Sequence, residues 1–301
     1  MKFKLPNGQE IYLNGYLTSA LDTLIHNVSK DWDFIIIITG DRMVRIGKSV
    51  LAQAIAAYLA WRLKTEWGLD HIFFDSEAMI DAAQRFPKNS VLVYDEARES
   101  LAISKTYMRV QQDIIDFFTE CGQLNHIFIL VLPDFFELKE PVAVGRSELL
   151  INVYRKEVDT MIDMYNDGKK IPVVRYDRGQ FEFFNRKTKA KLYDISKSTG
   201  RKTYGLVEAG FLGDFGDFYT VDKAEYIKKK AESLSRFRER QAEKRSKTDI
   251  IRDKLVMRML SMGLTHKKIV EQFAEEYEYD MALKTVYNII KRSSGVKDEQ
   301  L

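Results

Sequence analysis

The sequence predicts an α/β protein: a parallel sheet with helices on both faces, then a β-rich extension and a C-terminal group of three helices. Three observations carry this expectation. Short apolar runs at 34–38, 91–94 and 127–132 alternate with longer stretches of helical periodicity, and unbroken apolar strands belong to sheets buried on both faces. The first of these runs leads through a glycine-bearing loop into Gly47-Lys48-Ser49 at the head of a helix. The second ends in Asp95-Glu96.

The elements follow in order. Pro6-Asn7-Gly8 and Asn14-Gly15 are turn signals around the short run 10–13, which reads as part of a hairpin. Leu21, Leu24, Ile25 and Val28 recur at helical spacing. After the strand at 34–38, an alanine- and leucine-rich helix spans 49–64. A strand at 71–74 and a helix at 77–85 precede the strand at 91–94. A helix at 111–121, a strand at 126–132 and a last core strand at 149–154 complete the sheet. Beyond 161 the pattern changes to alternation: 171–176 and 180–184 read as two strands joined by Asp177-Arg178-Gly179. Residues 223–247 form a charged helical stretch. Over 223–254 there are 12 lysines and arginines against 6 acids, so the basic surplus of the chain lies here. The expected domains are therefore a core over 1–160, a β-rich extension over 161–222, a basic helical linker over 223–247 and a terminal helical domain over 248–301.

Composition bounds the function. A chain of 301 residues accommodates one large domain and a small one. Its 45% hydrophobic and 30% charged content excludes disorder throughout. A net charge of +3 is too mild to announce nucleic acid by itself. The single cysteine, Cys121, allows no internal disulfide and fits a reducing, cytoplasmic setting. His26, His71, His126 and His266 are scattered without zinc-ligand spacing. The first ten residues have no apolar signal core, and no apolar run approaches the roughly 18 residues that cross a bilayer, so no intrinsic membrane segment is expected.

The segment from Ile35 to Ser49 carries phosphate chemistry. A buried strand fixes the loop, with Gly40 at its start, and Gly47 lets backbone wrap a phosphate without a side-chain clash. The N–H groups at the head of the helix, through Ser49 and Val50, face the β-phosphate with the positive end of the helix dipole. Lys48 reaches the β- and γ-phosphates, and the Ser49 hydroxyl ligates Mg²⁺. Gly40 and Gly47 are separated by six residues where the consensus has four. Omitting Met43-Val44 restores the consensus, so these two residues either bulge outward or disturb the cradle. At the end of the strand at 91–94, Asp95 is placed to hold the Mg²⁺ hydration shell and Glu96 to polarise an attacking water. An acid beside the magnesium aspartate points to ATP hydrolysis. It also implies a P-loop NTPase sheet of the RecA-like ASCE type, with the strand at 126–132 inserted between the two motif strands.

These residues resemble the HerA/FtsK-type DNA-pumping ATPases, and most of all the zonula-occludens-toxin-like (Zot-like) ATPases of phages and mobile elements. The resemblance covers roughly 8–160. It rests on Thr39-Gly40-Asp41-Arg42 through Lys48-Ser49-Val50-Leu51, on Phe73-Phe74-Asp75-Ser76-Glu77, on Pro87-Lys88-Asn89-Ser90 leading to Asp95-Glu96-Ala97, and on Asn125-His126. It implies ATP and Mg²⁺ as cofactors, with Lys48, Ser49, Asp95 and Glu96 in the roles just derived. It also implies a homo-oligomer, often a hexamer formed with ATP or DNA, in which a neighbour lends an arginine; Arg146 is the candidate. Such families usually carry a polar sensor, often glutamine, on the strand after the acidic pair. Here that strand runs out as Leu132-Pro133-Asp134, with Asp134 as the one polar candidate.

The last part of the chain reads as three helices. A first runs over 250–262 and is ended by Gly263. Thr265 caps a second over 267–277, with Ile269, Phe273 and Ala274 on its inner face. A third spans 281–292, with Val286, Ile289 and Ile290 facing in and Lys284, Thr285, Asn288 and Lys291 facing out. This order resembles a helix-turn-helix. The resemblance implies double-stranded DNA as partner, with Lys284, Thr285 and Asn288 at base edges and Lys291 and Arg292 on phosphates. The competing reading is an oligomerisation or protein-docking module, and Glu271, Glu275 and Glu276 on the second helix favour it.

Three functions are weighed. The leading one is an ATP-hydrolysing DNA motor for translocation, packaging or transfer. The second is a nucleotide-switched DNA-binding regulator or loader that does not translocate. The third is a small-molecule kinase, which the missing arginine-rich lid and the acid pair disfavour.

Overall fold

The computed structural model describes residues 1–5, 8–28, 30, 32–40, 45–95, 116–118, 121–162, 171–277 and 281–293. For 159–162, 171–175, 234, 237–249, 277 and 291–293 it describes the backbone alone. Two compact units divide the chain, Met1–Ala231 and Glu232–Leu301.

The first unit opens with a small antiparallel pair, β1 (Lys2–Lys4) and β2 (Glu10–Tyr12), followed by α1 (Gly15–Val28). β3 (Phe34–Thr39) is buried at every position. Its side chains alternate between two cores: Phe34, Ile36 and Ile38 go to one face of the sheet, Ile35 and Ile37 to the other. The period-2 geometry of a strand enforces this division. β5 (Val91–Asp95) and β6 (Ile127–Val131) divide in the same way, with Val91, Val93, Ile127 and Ile129 on the first face and Leu92, Tyr94, Phe128 and Leu130 on the second. This is why the sequence shows unbroken apolar runs: neither face meets water.

The first face is covered by α1 and by α2 (Lys48–Leu63), in which every residue from Val50 to Ala60 is buried. Such a helix cannot show an amphipathic stripe, and its alanines let it lie close to the sheet. It stops where Lys64 turns left-handed (φ 58°) and its N–H bonds the Ala60 carbonyl. The second face is covered by α3 (Ser76–Arg85), which Asp75 caps by accepting from Ala78 N at 3.1 Å, and by α4 (Arg186–Thr199).

With β4 (Ile72–Phe73), β7 (Ser147–Ile162), β8 (Ile171–Phe184) and β9 (Phe211–Asp214), the sheet has the order β4-β5-β6-β3-β7-β8-β9. The strands from β4 to β7 are parallel, and β8 and β9 add antiparallel. β6 lies between β3 and β5, so the inserted strand expected from the acidic pair is present.

Three sequence expectations need correction. The runs at 171–176 and 180–184 are not two strands with a turn between them but one strand, β8, paired along β7. Tyr154 faces Gln180 and Lys156 faces Asp177, so Arg155 alone opposes Arg178 and Gly179. Gly179, at φ 85°, serves a β-bulge rather than a hairpin. α4 was not anticipated, although Asn185 caps it by accepting from Thr188 N at 3.0 Å and Gly200 follows it at φ 70°. The expected linker and first terminal helix are a single helix, α5 (Lys223–Ser261), whose sequence contains neither glycine nor proline to interrupt it. The helix expected at 111–121 lies largely outside the described residues.

In the second unit the end of α5 packs with α6 (His266–Tyr277) and α7 (Leu283–Ser293) around Val256, Met259, Ile269, Phe273, Met281, Val286 and Ile289. Gly263 turns left-handed (φ 83°), its N–H bonding Leu260 O while Leu264 N bonds Met259 O. That paired closure satisfies the last carbonyls of α5 and fixes its end. Ala274, expected on the inner face of α6, is exposed; Ile269 and Phe273 supply that face. Among the described residues no helix is long and apolar enough to cross a membrane.

Candidate nucleotide site

Strand register brings the two motifs level. Ile38 on β3 and Asp95 on β5 both pair with Val131 on the intervening β6. The loop after β3 and the carboxylate that ends β5 therefore share the carboxyl edge of the parallel sheet, where open α/β sheets bind ligands.

The loop is tightly packed at both described ends. A Cβ on Gly40 would fall 2.0 Å from Ile46 Cδ1, 2.8 Å from the Val153 carbonyl oxygen and 3.2 Å from Lys48 Cδ. Ile46 is buried and folds back over Gly40, while the stem of Lys48 passes beside it. Arg45 (φ 58°) and Gly47 (φ 101°) are both left-handed, the latter at the cap of α2. Only glycine adopts the second geometry freely, and the Phe215 ring lies where a Cβ would go, 3.0 Å away. Residues 41–44, which include the additional pair Met43-Val44, lie outside the described residues.

Ser49, in the first turn of α2, donates from Oγ to Asp95 Oδ1 at 3.2 Å. Asp95 is 1% exposed, yet its carboxylate is well supplied. Tyr226 Oη donates to Oδ2, and Lys230 Nζ stands 3.6 Å from the same oxygen. Burial, and then the Asp95 charge, push the Tyr226 phenol up from its ordinary value, so it remains a donor throughout the neutral range. A hydroxyl and a carboxylate within hydrogen-bond distance are hard oxygen donors of the kind magnesium takes, with water filling the remaining positions. The residues present fit that ion: Ser49 and Asp95 would hold it beside the phosphates.

The surroundings are tied to α2. Trp67 Nε1 donates to Thr220 Oγ1 at 2.8 Å, and Gln53 Oε1 accepts from Thr220 N at 3.3 Å. These bonds hold the segment that follows Phe215 against the helix that begins at Lys48. Beneath the loop, Tyr204 Oη donates to Thr39 Oγ1 at 2.9 Å.

Glu96 lies outside the described residues. Arg146 sits just before β7 at the amino edge of the sheet, donating from Nε to Phe118 O at 2.6 Å and ion-paired through Nη2 with Asp33. Asp33 precedes β3, so Arg146 stands one strand length from the loop, about 20 Å at 3.3 Å per residue. Asp134, the one polar candidate after β6, is buried and accepts from Phe136 N at 3.0 Å, which makes it a turn cap. Cys121 lies against Asp33, its thiol pushed up to about 12 by burial and then by that carboxylate; it is an inert core residue. In the second unit Lys284 and Asn288 are exposed and Thr285 is half-buried, while the side chains of Lys291 and Arg292 are not described. Glu271, Glu275 and Glu276 are exposed on α6.

Sequence reasoning missed Tyr226 and Lys230. They stand some 130 residues beyond Asp95 in a stretch that reads as a solvated basic helix, and no local pattern marks them.

Among curated proteins no sequence matches. Among solved structures, B204, the DNA-packaging ATPase from Sulfolobus Turreted Icosahedral Virus, is similar over 42% of this chain and 77% of its own, at 17% identity and a TM-score of 0.29. The model of the Zonular occludens toxin (Zot) family matches residues 25–201, a span that holds β3, the phosphate loop, Ser49, Asp95 and the sheet out to α4. With more than half of its length so matched, and Lys48, Ser49 and Asp95 inside that span, the chain belongs to the Zonular occludens toxin (Zot) family of phage P-loop ATPases.

Proposed function

We propose that this chain is an ATP-hydrolysing motor that acts on double-stranded DNA of a phage or mobile element. The observation that carries the reading is the bond from Ser49 Oγ to Asp95 Oδ1 at the carboxyl edge of the sheet. It joins the head of α2 to a buried carboxylate, the arrangement needed to grip a triphosphate on one side and its metal on the other. Magnesium, when bound there, neutralises charge on the β- and γ-phosphates. The residues of the chain do the rest. The N–H groups at the start of α2 and the Lys48 ammonium orient the phosphates, Ser49 and Asp95 hold the cation, and Glu96 orients and polarises the attacking water. Arg146 is not carried into this reading, because Asp33 and Phe118 O engage its guanidinium at the opposite edge. Oligomerisation, as a hexamer or another ring, forms part of the proposal.

The second unit supplies recruitment. α7 would enter the major groove with Lys284, Thr285 and Asn288 at base edges, and Lys291 and Arg292 on phosphates. The surplus of lysine and arginine along 223–254 would add salt-dependent, sequence-blind affinity.

The test is ATP hydrolysis with and without duplex DNA. Hydrolysis rises with DNA in the native chain. Lys48→Ala loses nucleotide affinity, and Glu96→Gln binds nucleotide without turnover. Paired substitution of Lys284 and Asn288 by alanine weakens DNA binding while DNA-free hydrolysis stays constant. Equal rates with and without DNA refute the motor. A second reading, a nucleotide-switched DNA-binding regulator that moves nothing, rests on the two residues added to the phosphate loop and on the lack of a glutamine after β6, where Asp134 stands and caps Phe136 N. Slow, DNA-independent turnover with nucleotide-dependent DNA binding would select it.

A further inference from the structure

Ser49, at the head of α2, engages one oxygen of Asp95, and the first turns of α5 engage the other. Tyr226 donates to Oδ2 and Lys230 Nζ lies 3.6 Å from it. The two residues are four apart and so share one helix face. Both belong to the first unit and both lie beyond the family-matched span.

Their seating is built into the fold. Tyr226 is 4% exposed, with its ring 5.6 Å from Phe74 and 5.5 Å from Tyr219. Lys229, beside them, donates to the Leu69 carbonyl at 2.7 Å and lies over Phe73, and Lys230 itself lies over Phe74 at 5.7 Å. The helix start is thus held to β4 and its flanks by contacts that do not involve Asp95.

The two groups differ in what they do to a cation at the carboxylate. A phenol hydroxyl is neutral. It fixes the rotamer of Asp95 so that Oδ1 faces Ser49, and it can stay in place when a metal arrives on the Oδ1 side. An ammonium repels a bare divalent cation but attracts a magnesium–triphosphate complex, whose net charge is negative. Resting on the nucleotide reading above, we propose that Tyr226 is a positioning residue for the magnesium carboxylate. In the same proposal Lys230 is a second lysine of the nucleotide site, one that selects the metal–triphosphate complex over the free metal.

The test uses the full chain, a fluorescent ATP analogue in EDTA or in magnesium, and Mn²⁺ alone followed by its electron paramagnetic resonance. Tyr226→Phe keeps the ring packing; it leaves nucleotide affinity in EDTA unchanged and cuts the gain on adding magnesium by about tenfold, the scale of one charge-assisted hydrogen bond. Lys230→Met weakens binding of the magnesium complex by roughly tenfold and strengthens binding of Mn²⁺ alone, and Lys230→Arg reverses both. If Tyr226→Phe loses affinity equally with and without magnesium, or in neither condition, the positioning role is overturned. If Lys230→Met leaves both nucleotide and Mn²⁺ binding unchanged, the selecting role is overturned. A native chain that binds nucleotide no better than Lys48→Ala would overturn the nucleotide reading itself, and the proposal with it.

Discussion

Gly47→Ala probes the phosphate loop where backbone and packing constraints meet. The glycine holds φ 101° at the cap of α2, and a Cβ there would lie 3.0 and 3.1 Å from two atoms of the Phe215 ring. The left-handed backbone costs an L-residue about 1–2 kcal/mol. Pressing a methyl against a ring that is itself buried adds roughly 1–3 kcal/mol of overpacking. The sum, about 2–5 kcal/mol, is a large share of the 5–15 kcal/mol typical of a folded protein, but it does not exceed it. The variant should therefore fold with a lowered denaturation midpoint and a displaced loop. Urea unfolding gives the stability change, and titration with a fluorescent ATP analogue gives the loss of nucleotide affinity. A cycle with Phe215→Leu separates the two contributions, since the smaller side chain relieves the packing part and leaves the backbone part. Additive effects would refute the proposed ring contact. An alanine variant as stable and as tight-binding as the native chain would refute the left-handed loop geometry altogether.

Three further outcomes are expected. Ile36→Ala, at a fully buried position of the central β3, should lower stability by about 2–5 kcal/mol in chemical denaturation; a loss under 1 kcal/mol would be incompatible with the two-faced core. Arg146→Ala should cost roughly 1–3 kcal/mol by stranding the mostly buried Asp33 carboxylate, with nucleotide affinity per folded molecule unchanged. Full stability with lost turnover would return Arg146 to a catalytic role. Lys189 is fully buried against Ser147, and burial lowers its ammonium to about 7. Its folded value lies below its unfolded one, so between about pH 7 and 10.5 the unfolded chain binds the extra proton and stability rises with pH. Denaturation midpoints measured across that window should lose this slope in Lys189→Met, and an unchanged slope would remove Lys189 as its source.

Several parts of the molecule could be read directly because their chemistry is local. The isoleucine run of β3, the glycines and Lys48-Ser49 after it, and the apolar run ending at Asp95 announce themselves by composition and spacing. A strand buried on both faces must be apolar throughout, and a loop that wraps phosphate must be free of side chains at its tight points. The acidic pair also carried an expectation for β6, through the type of ATPase sheet it signals, and the strand order has β6 between the two motif strands. Gly179 misled because a left-handed glycine serves a hairpin turn and a β-bulge equally well, and only the facing strand β7 distinguishes them. The partners of Arg146 could not be read at all, because an arginine's partner is a matter of space: Asp33 lies 113 positions earlier in the chain.

The sequence by itself determined the class of sheet, the phosphate loop and the identity of the carboxylate at the end of β5, each a consequence of residues within a few positions of one another. Tertiary structure alone decided what surrounds that carboxylate. Ser49 meets it from 46 residues away and Tyr226 from 131. Pairings over such separations leave no periodicity in the chain, because they are fixed by strand order and helix docking rather than by local backbone preference. The basic run at the start of α5 is ambiguous as text, either a solvated face or a functional one. The sheet places Asp95 where the side chains at 226 and 230 reach it, so the start of that run is packed against a buried carboxylate rather than wholly solvated.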